Sequence, residues 1–569
     1  MRIARLLGTA AVAAGLVAPA ATGAAAAKPP VTERVVVQAT TSEAAASAVT
    51  QAGGTVTRRL DIVNGVAATI PGTSRAALAR ANGVRAVTDD SAVTVHATTA
   101  DGTNTSTIKN VFRDEIGATA LAATGRGVRI ALVDTGVNET ADLAGRIVAI
   151  QDPGGTPAAL RKSVPCVDLS GEGTCADGYG HGTFLAGLIA GNGALSNGLY
   201  KGVAPEAEIV SIKIAGRNGA ADVSKVLAAI QWVVSFKDDY GIDVLNLSLG
   251  TNSKAPYWVD PLNYAVEQAW LKGIAVVVAA GNSGGAFGTI SKPGDDPLVI
   301  TAGAVDDRET PALDDDRLPN FSSRGPAPFG IAKPDVVAPG ARLISLRTAG
   351  SYVEEHAGAG QLAGTPYRRG SGTSMAAAVT SGAVALLLER HPGWSPDRVK
   401  YALTATAGKV AARDARLVGA GLIRVNAADA ALPGLANQGA VTPATGTGSL
   451  QDSRGTVVVG QCTDAQQCAQ CDAEGGCPAI TGENTAQGRA YNSGQYAAAN
   501  WTDSSWYTSQ WAAPLLDTGW YGNSWLGNSW LGNSWLGNSW LGSSWYGNSD
   551  TADDYGRPAR GGAWYGAWS

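Results

Sequence analysis

Short continuous apolar runs alternate with stretches of helical periodicity along the middle of this chain. Residues 128–133, 208–214, 242–249 and 274–280 read as strands buried on both faces. Residues 223–236 and 259–271 read as helices between them, and the apolar runs 184–189 and 379–388 as helices buried all round. Such alternation predicts an α/β domain over residues 106–432, a parallel sheet covered by helices on both faces.

The flanks have other patterns. Arg2 and Arg5 precede an apolar stretch at 6–17 that is followed by small residues at 24–27, the layout of a secretory signal peptide over 1–27. That stretch is too short to span a membrane, so the chain is expected to be exported and extracellular. Residues 28–105 follow a β-α-β-β-α-β rhythm (35–37, 42–52, 55–60, 66–70, 74–81, 84–87, then 93–95), which suits a small ferredoxin-like α+β unit. A polar stretch at 98–106 reads as a linker open to cleavage.

Three segments carry candidate chemistry. Gly370-Ser371-Gly372-Thr373-Ser374-Met375-Ala376 places a serine at the mouth of a buried helix, with backbone N–H groups free to face an oxyanion. A serine there is ordinarily just a helix cap. Two upstream segments change that reading. Val133-Asp134-Thr135-Gly136 ends a buried strand on a carboxylate, and Asp177-Gly178-Tyr179-Gly180-His181-Gly182-Thr183 offers an imidazole. A serine hydroxyl needs a neutral imidazole to take its proton and a carboxylate to hold that imidazole's tautomer. Asp134, His181 and Ser374 supply the three parts.

In this order, Asp then His then Ser, the segments resemble the three signatures of the subtilisin family of serine peptidases, whose triad is well established. Further matching stretches are Gly202-Val203-Ala204-Pro205, Asn246-Leu247-Ser248-Leu249-Gly250, Ala279-Ala280-Gly281-Asn282, Asn320-Phe321-Ser322-Ser323-Arg324-Gly325-Pro326 and Lys333-Pro334-Asp335. The resemblance covers residues 106–432. It implies a secreted endopeptidase acting on polypeptide substrates through an acyl-enzyme, with the Asn282 amide and the Ser374 N–H as oxyanion donors. Ser248, Leu249 and Gly250 would present a strand edge to extended peptide. Residues 28–105 resemble the inhibitory propeptides of secreted subtilases, an intramolecular inhibitor removed on maturation. One departure is Ala378, where the family's serine helix carries proline; with proline taken to sit in the first turn, the exchange is expected to alter rigidity without loss of catalysis.

Rival readings are weaker. Gly281-Asn282-Ser283-Gly284-Gly285 satisfies the G-x-S-x-G pattern of an esterase, but the later histidines, His356 and His391, have no distinctive context. A surface-attached structural protein with an inert protease domain is the other class. No metal motif is present and no cofactor is needed for the chemistry; structural calcium is implied only by the resemblance, at the loop 192–200, whose asparagines align poorly with the ligand pattern. Formal net charge is −5 with no basic run, which gives no footprint for nucleic acid.

Six cysteines in an exported chain favour disulfides. Cys166 and Cys175 could close a loop next to the cleft. Cys462, Cys468, Cys471 and Cys477 allow three pairings, with a zinc knuckle as the competing reading. Beyond residue 432 the expected order is a linker (433–458), the cysteine cluster (459–478) and a repeat tail (479–569). In the tail Trp520, Trp525, Trp530, Trp535, Trp540 and Trp545 recur every five residues, with looser copies at Tyr491, Tyr496, Trp501, Trp506 and Trp511. A period of five fits neither helix nor strand, so the tail is expected to be disordered, to contribute nothing to hydrolysis and to attach to cell-surface or wall material.

Overall fold

The structure is a computed structural model that describes residues 32–60, 65–89, 94–95, 110–151, 163–356, 365–439, 441–455, 460–462, 480–485, 489–499, 501 and 534–536. The signal segment 1–27, the junction 98–106, Cys468, Cys471, Cys477 and all the tryptophans of the five-residue repeat except Trp535 lie outside the described residues.

The first unit runs β1 (Thr32–Ala39), α1 (Ser42–Gln51), β2 (Thr55–Leu60), β3 (Gly65–Pro71), α2 (Arg75–Leu78) and β4 (Val84–Asp89). Its strands form an antiparallel sheet in the order β2-β3-β1-β4, as the ferredoxin-like rhythm requires. Val35, Val37, Val66 and Ile70 face α1 and build a small core of their own. A further strand, β5 (Thr94–Val95), leaves this unit and pairs elsewhere.

The second unit begins with α3 (Phe112–Glu115) and β6 (Arg129–Asp134), followed by the short strands β7 (Ile150–Gln151), β8 (Ser163–Val164) and β9 (Val167–Asp168). Next come α4 (His181–Ala190), β10 (Glu208–Lys213), α5 (Val223–Ser235), α6 (Lys237–Tyr240), β11 (Ile242–Leu247), β12 (Leu249–Gly250), α7 (Pro261–Leu271), β13 (Ala275–Ala279) and β14 (Ile300–Val305). The remainder is β15 (Val336–Pro339), β16 (Leu343–Leu346), α8 (Tyr352–His356), β17 (Tyr367–Gly370), α9 (Thr373–Arg390), α10 (Pro396–Ala405), α11 (Ala415–Val418) and α12 (Val425–Asp429).

A seven-stranded parallel sheet, β15-β14-β13-β11-β6-β10-β9, forms the middle layer. β13 and β14 are buried along their whole length, because crossover helices cover both faces. α9 is buried from Thr373 to Leu387, which explains why its sequence shows no polar stripe. Cys166 and Cys175 form a disulfide with a Cα–Cα separation of 5.6 Å. Closing so short a loop stabilises by about 3 kcal/mol through the unfolded chain.

The expected linker and tail differ from the structure. α13 (Leu450–Arg454) and α14 (Ser493–Ala498) pack on the second unit, and Leu450, Ile480, Tyr491, Tyr496 and Trp501 are buried within its main core. Tyr491, Tyr496 and Trp501, which share the five-residue spacing of the tail, are therefore core residues. Their rings lie 5.2 to 5.6 Å from one another or from Tyr264 on α7. Farther on, β18 (Gly460–Cys462) pairs antiparallel with β19 (Ser534–Leu536). No helix among the described residues is long and apolar enough to cross a membrane.

Candidate active site

Asp134 is the last residue of β6, His181 the first of α4 and Ser374 the second of α9. β6 and β11 are neighbours in the sheet and α4 packs against α9, so the end of β6 meets the start of α4, while the Ser374 hydroxyl is bonded to Ser248 after β11 and not to His181. All three side chains are buried.

His181 Nδ1 faces both oxygens of Asp134, at 2.8 and 2.9 Å. A carboxylate there holds the proton on Nδ1 and leaves Nε2 as the ring's acceptor. Nε2 is buried and has no hydrogen-bond partner among the described residues. The Ser374 hydroxyl donates to the Ser248 carbonyl at 3.1 Å, and the one proton of the Ser248 hydroxyl has Asn246 Oδ1 at 2.9 Å and the Ser374 carbonyl at 3.2 Å within reach. These contacts tie the start of α9 to the residue that follows β11.

Side chains absent from the sequence-derived set hold this geometry. Thr135 N–H donates to Asp134 Oδ1 at 2.8 Å, and the Thr135 hydroxyl donates to Asp177 at 2.8 Å while accepting from Gly182 N–H at 3.0 Å. Asp177 also accepts from Gly180 N–H at 2.6 Å and from Thr183 N–H at 2.8 Å. It thereby satisfies orphan donors at the start of α4. Gly182 is required by close approach, since a Cβ would lie 2.1 Å from the Gly136 carbonyl and 3.2 Å from Asp134 Oδ1. Asp177 sits in the quoted His181 motif, and an acid three residues before Gly180 and six before Thr183 was the available signal.

Asn282 lies half-buried across from the serine turn. Its Oδ1 accepts from Thr373 N–H at 3.0 Å and from the Thr373 hydroxyl at 2.8 Å, and that hydroxyl accepts from Gly281 N–H at 3.0 Å. With the oxygen held twice, the amide orientation is set, and Nδ2 is left as its donor. Thr373 is a second contributor that motif reading passed over.

Ser248, Leu249 and Gly250 are buried beside Ser374. β12 is paired in antiparallel register with β5, Leu249 opposite Val95 and Gly250 opposite Thr94. The chain's own N-terminal segment thus occupies one edge of β12.

Ala378 is the sixth residue of α9, beyond the first turn. The expectation that a proline there would replace an orphan N–H is therefore corrected, because the N–H of residue 378 has an i−4 acceptor, the Ser374 carbonyl. Alanine keeps that donor. Of the other histidines, His391 lies 2.9 Å from Asp429 and stacks on Trp394, while His356 stacks on Tyr352. Neither partners Ser283, so the esterase reading has no described constellation behind it.

The loop implied for calcium is held by protein donors. Asn192 Oδ1 accepts from Ala194 N–H at 2.7 Å, and Asp142 accepts from Leu195 N–H and the Tyr367 hydroxyl, each at 2.7 Å. Each of those oxygens already accepts a hydrogen bond from the protein. No group of three or more His, Cys, Asp or Glu among the described residues could hold a metal.

Residues 125–421 match the Subtilase family. The chain is 39% identical to serine protease AprX of Bacillus subtilis (strain 168) over 316 residues, 55% of this chain and 67% of that protein. It is 34% identical to subtilisin Savinase of Lederbergia lenta over 306 residues, 54% of this chain and 91% of that protein. Fervidolysin from Fervidobacterium pennivorans, a keratinolytic enzyme related to subtilisin, is similar in structure at 25% identity and a TM-score of 0.45, covering 77% of this chain and 64% of that one. With a family match across more than half of its length, and with a parallel sheet flanked by helices, this chain belongs to the subtilase family of serine peptidases.

Proposed function

We propose that this protein is a secreted serine endopeptidase in which Ser374 is the nucleophile, His181 the general base and Asp134 the group that orients it. The observation that carries the reading is the buried Asp134–His181 pair, with its proton held on Nδ1 and Nε2 left as acceptor. Nε2 takes the proton of the Ser374 hydroxyl as Oγ attacks the peptide carbonyl, then delivers it to the leaving amine. The acyl-enzyme is released by water along the same path in reverse. Asn282 Nδ2 and the Ser374 N–H stabilise the tetrahedral oxyanion.

Peptide substrate lies along Ser248, Leu249 and Gly250, where backbone pairing accepts many sequences. Residues 28–105 act as an intramolecular inhibitor through β5 until the junction is cut. Secretion rests on the N-terminal signal pattern, and the tryptophan repeat serves attachment to surface material. The test is hydrolysis of an unfolded protein by the purified chain, with and without a serine-directed sulfonyl fluoride. Block by the reagent, and a Ser374→Ala variant that neither cleaves nor is labelled, is expected. Cleavage that persists in Ser374→Ala overturns the assignment.

A further inference from the structure

The described parts of residues 449–501 form a clasp on the face that holds the substrate strand. Arg454, at the end of α13, is fully buried and forms an ion pair with Asp222 at 2.6 and 3.2 Å. Asp222 is itself the N-cap of α5, accepting from Ser224 N–H at 2.8 Å. Burial pushes the Asp222 carboxyl up, but the Arg454 charge and hydrogen bonds more than reverse this and hold it below its ordinary value. The remaining guanidinium donors go to Gln451 and to the carbonyls of Gly482 and Asn484, which draws the chain on the far side of the cysteine cluster into the same knot.

The neighbouring residue reaches the second helix and the substrate strand. Ser453 Oγ donates at 3.0 Å to Asp260, the N-cap of α7, and the Ser453 carbonyl accepts from the Thr251 hydroxyl at 2.7 Å. Thr251 directly follows Gly250 of β12. A Cβ on Gly455 would lie 2.2 Å from Asn252 Oδ1 and 2.6 Å from Ser253 N, so the clasp presses against the loop that continues the strand. Glu483 secures the start of α13, accepting from Leu450 N–H at 2.8 Å and from the Ser449 hydroxyl. α13 also lies beside β4 of the N-terminal unit.

We propose that Arg454 is a positioning residue for the peptidase reaction: anchored on Asp222, it fixes α13 so that Ser453 holds Thr251, and with it the substrate-pairing strand Leu249–Gly250, in register for extended peptide. The inference rests on the catalytic reading above and adds a region outside the matched residues 125–421 to the substrate site. Arg454 touches no reacting atom. Its removal should weaken strand pairing with long substrates and leave acyl transfer intact.

The experiment compares Arg454→Met and Thr251→Val with the wild type, each as the processed protein that has lost residues 28 to about 105 and keeps its whole C-terminal part, on a four-residue peptide amide and on a single-residue ester that does not reach β12. Rates are normalised to the serine titrated by a sulfonyl fluoride. The expected result is a KM for the peptide raised about tenfold in Arg454→Met and severalfold in Thr251→Val, with ester turnover per titrated serine unchanged in both. Equal losses on both substrates, or no change on either, in Thr251→Val overturn the proposal even if Arg454→Met fails to fold. Failure of the catalytic reading is separable, since the wild type would then neither titrate nor turn over the ester.

Discussion

Val95 stands opposite Leu249 in antiparallel register, 154 residues away in sequence. An extended segment that satisfies the backbone groups of β12 excludes any other peptide from them. If β12 is the substrate-pairing edge proposed above, the N-terminal unit blocks it until the chain is cut between β5 and α3. The Ser374→Ala chain, secreted from a host lacking other proteases, should accumulate with residues 28 to about 105 still attached. Intact mass and the N-terminal residue decide it; normal processing of that variant would show that cleavage is not its own.

Asn282→Leu keeps the volume and removes the amide. Expected is a fall in kcat of about 10² to 10³ with KM nearly unchanged, the magnitude established for loss of the corresponding amide in subtilisin. Thr373→Val removes one of the two donors to Asn282 Oδ1, and should cost about fivefold, equivalent to about 1 kcal/mol. A Thr373→Val enzyme with full kcat would show that the hydroxyl does not orient the amide.

Glu115 and Asp316 are buried, and none of their carboxylate oxygens has a hydrogen-bond partner among the described residues. Burial, then the neighbouring carboxylates Asp316 and Asp307, push Glu115 up to about 11; burial first also raises Asp307 to about 7 and Asp316 to about 6. The folded chain thus binds protons here that the unfolded chain releases. The stabilising contribution is complete below the ordinary carboxylate range and is lost as pH rises through the folded values. Glu115→Gln, in the Ser374→Ala background, should raise the Tm above that of its parent at pH 9, with the difference shrinking towards pH 5. Comparison with the parent is essential, because Lys225 and Lys333, lowered mainly by burial to about 7 and 8, give a slope of opposite sign. A pH-independent difference would show that the Glu115 carboxyl is not raised in the folded chain.

Truncation should divide the tail in two. A chain ending near residue 505 keeps Tyr491, Tyr496 and Trp501 in the core and should turn over a small peptide within a few-fold of the full chain. One ending near 435 uncovers the surface of α5 and α7. Each large buried side chain lost removes about 1.5 to 3 kcal/mol from a net stability of about 5 to 15, so soluble active protein should be nearly absent. Recovery of full activity from the shorter form would make the clasp dispensable. The 505 form should also leave wall or aggregated material to which the full chain adheres; equal partitioning would reject attachment by the repeat.

Much of this protein was determined locally. Continuous apolar runs at β6, β10, β11 and β13 dictated a doubly covered sheet because such residues can only be buried, and the β-α-β-β-α-β rhythm of residues 28–105 was readable for the same reason. Asp134, His181 and Ser374 stood out because each lies at an element end with a glycine one or two residues away. Long-range partners were not. Arg454 meets Asp222 across 232 residues, and nothing in the pattern around either announces the other. Tyr491, Tyr496 and Trp501 continue the spacing of the tryptophan repeat, so periodicity alone grouped them with the tail; burial against Tyr264 separates them. The spacing of Val95 gave no sign of Leu249 either. Hydrophobic pattern and capping act over a few residues and can be read along the chain, whereas ion pairs, strand registers and ring contacts between distant segments exist only once the sheet has brought their carriers together.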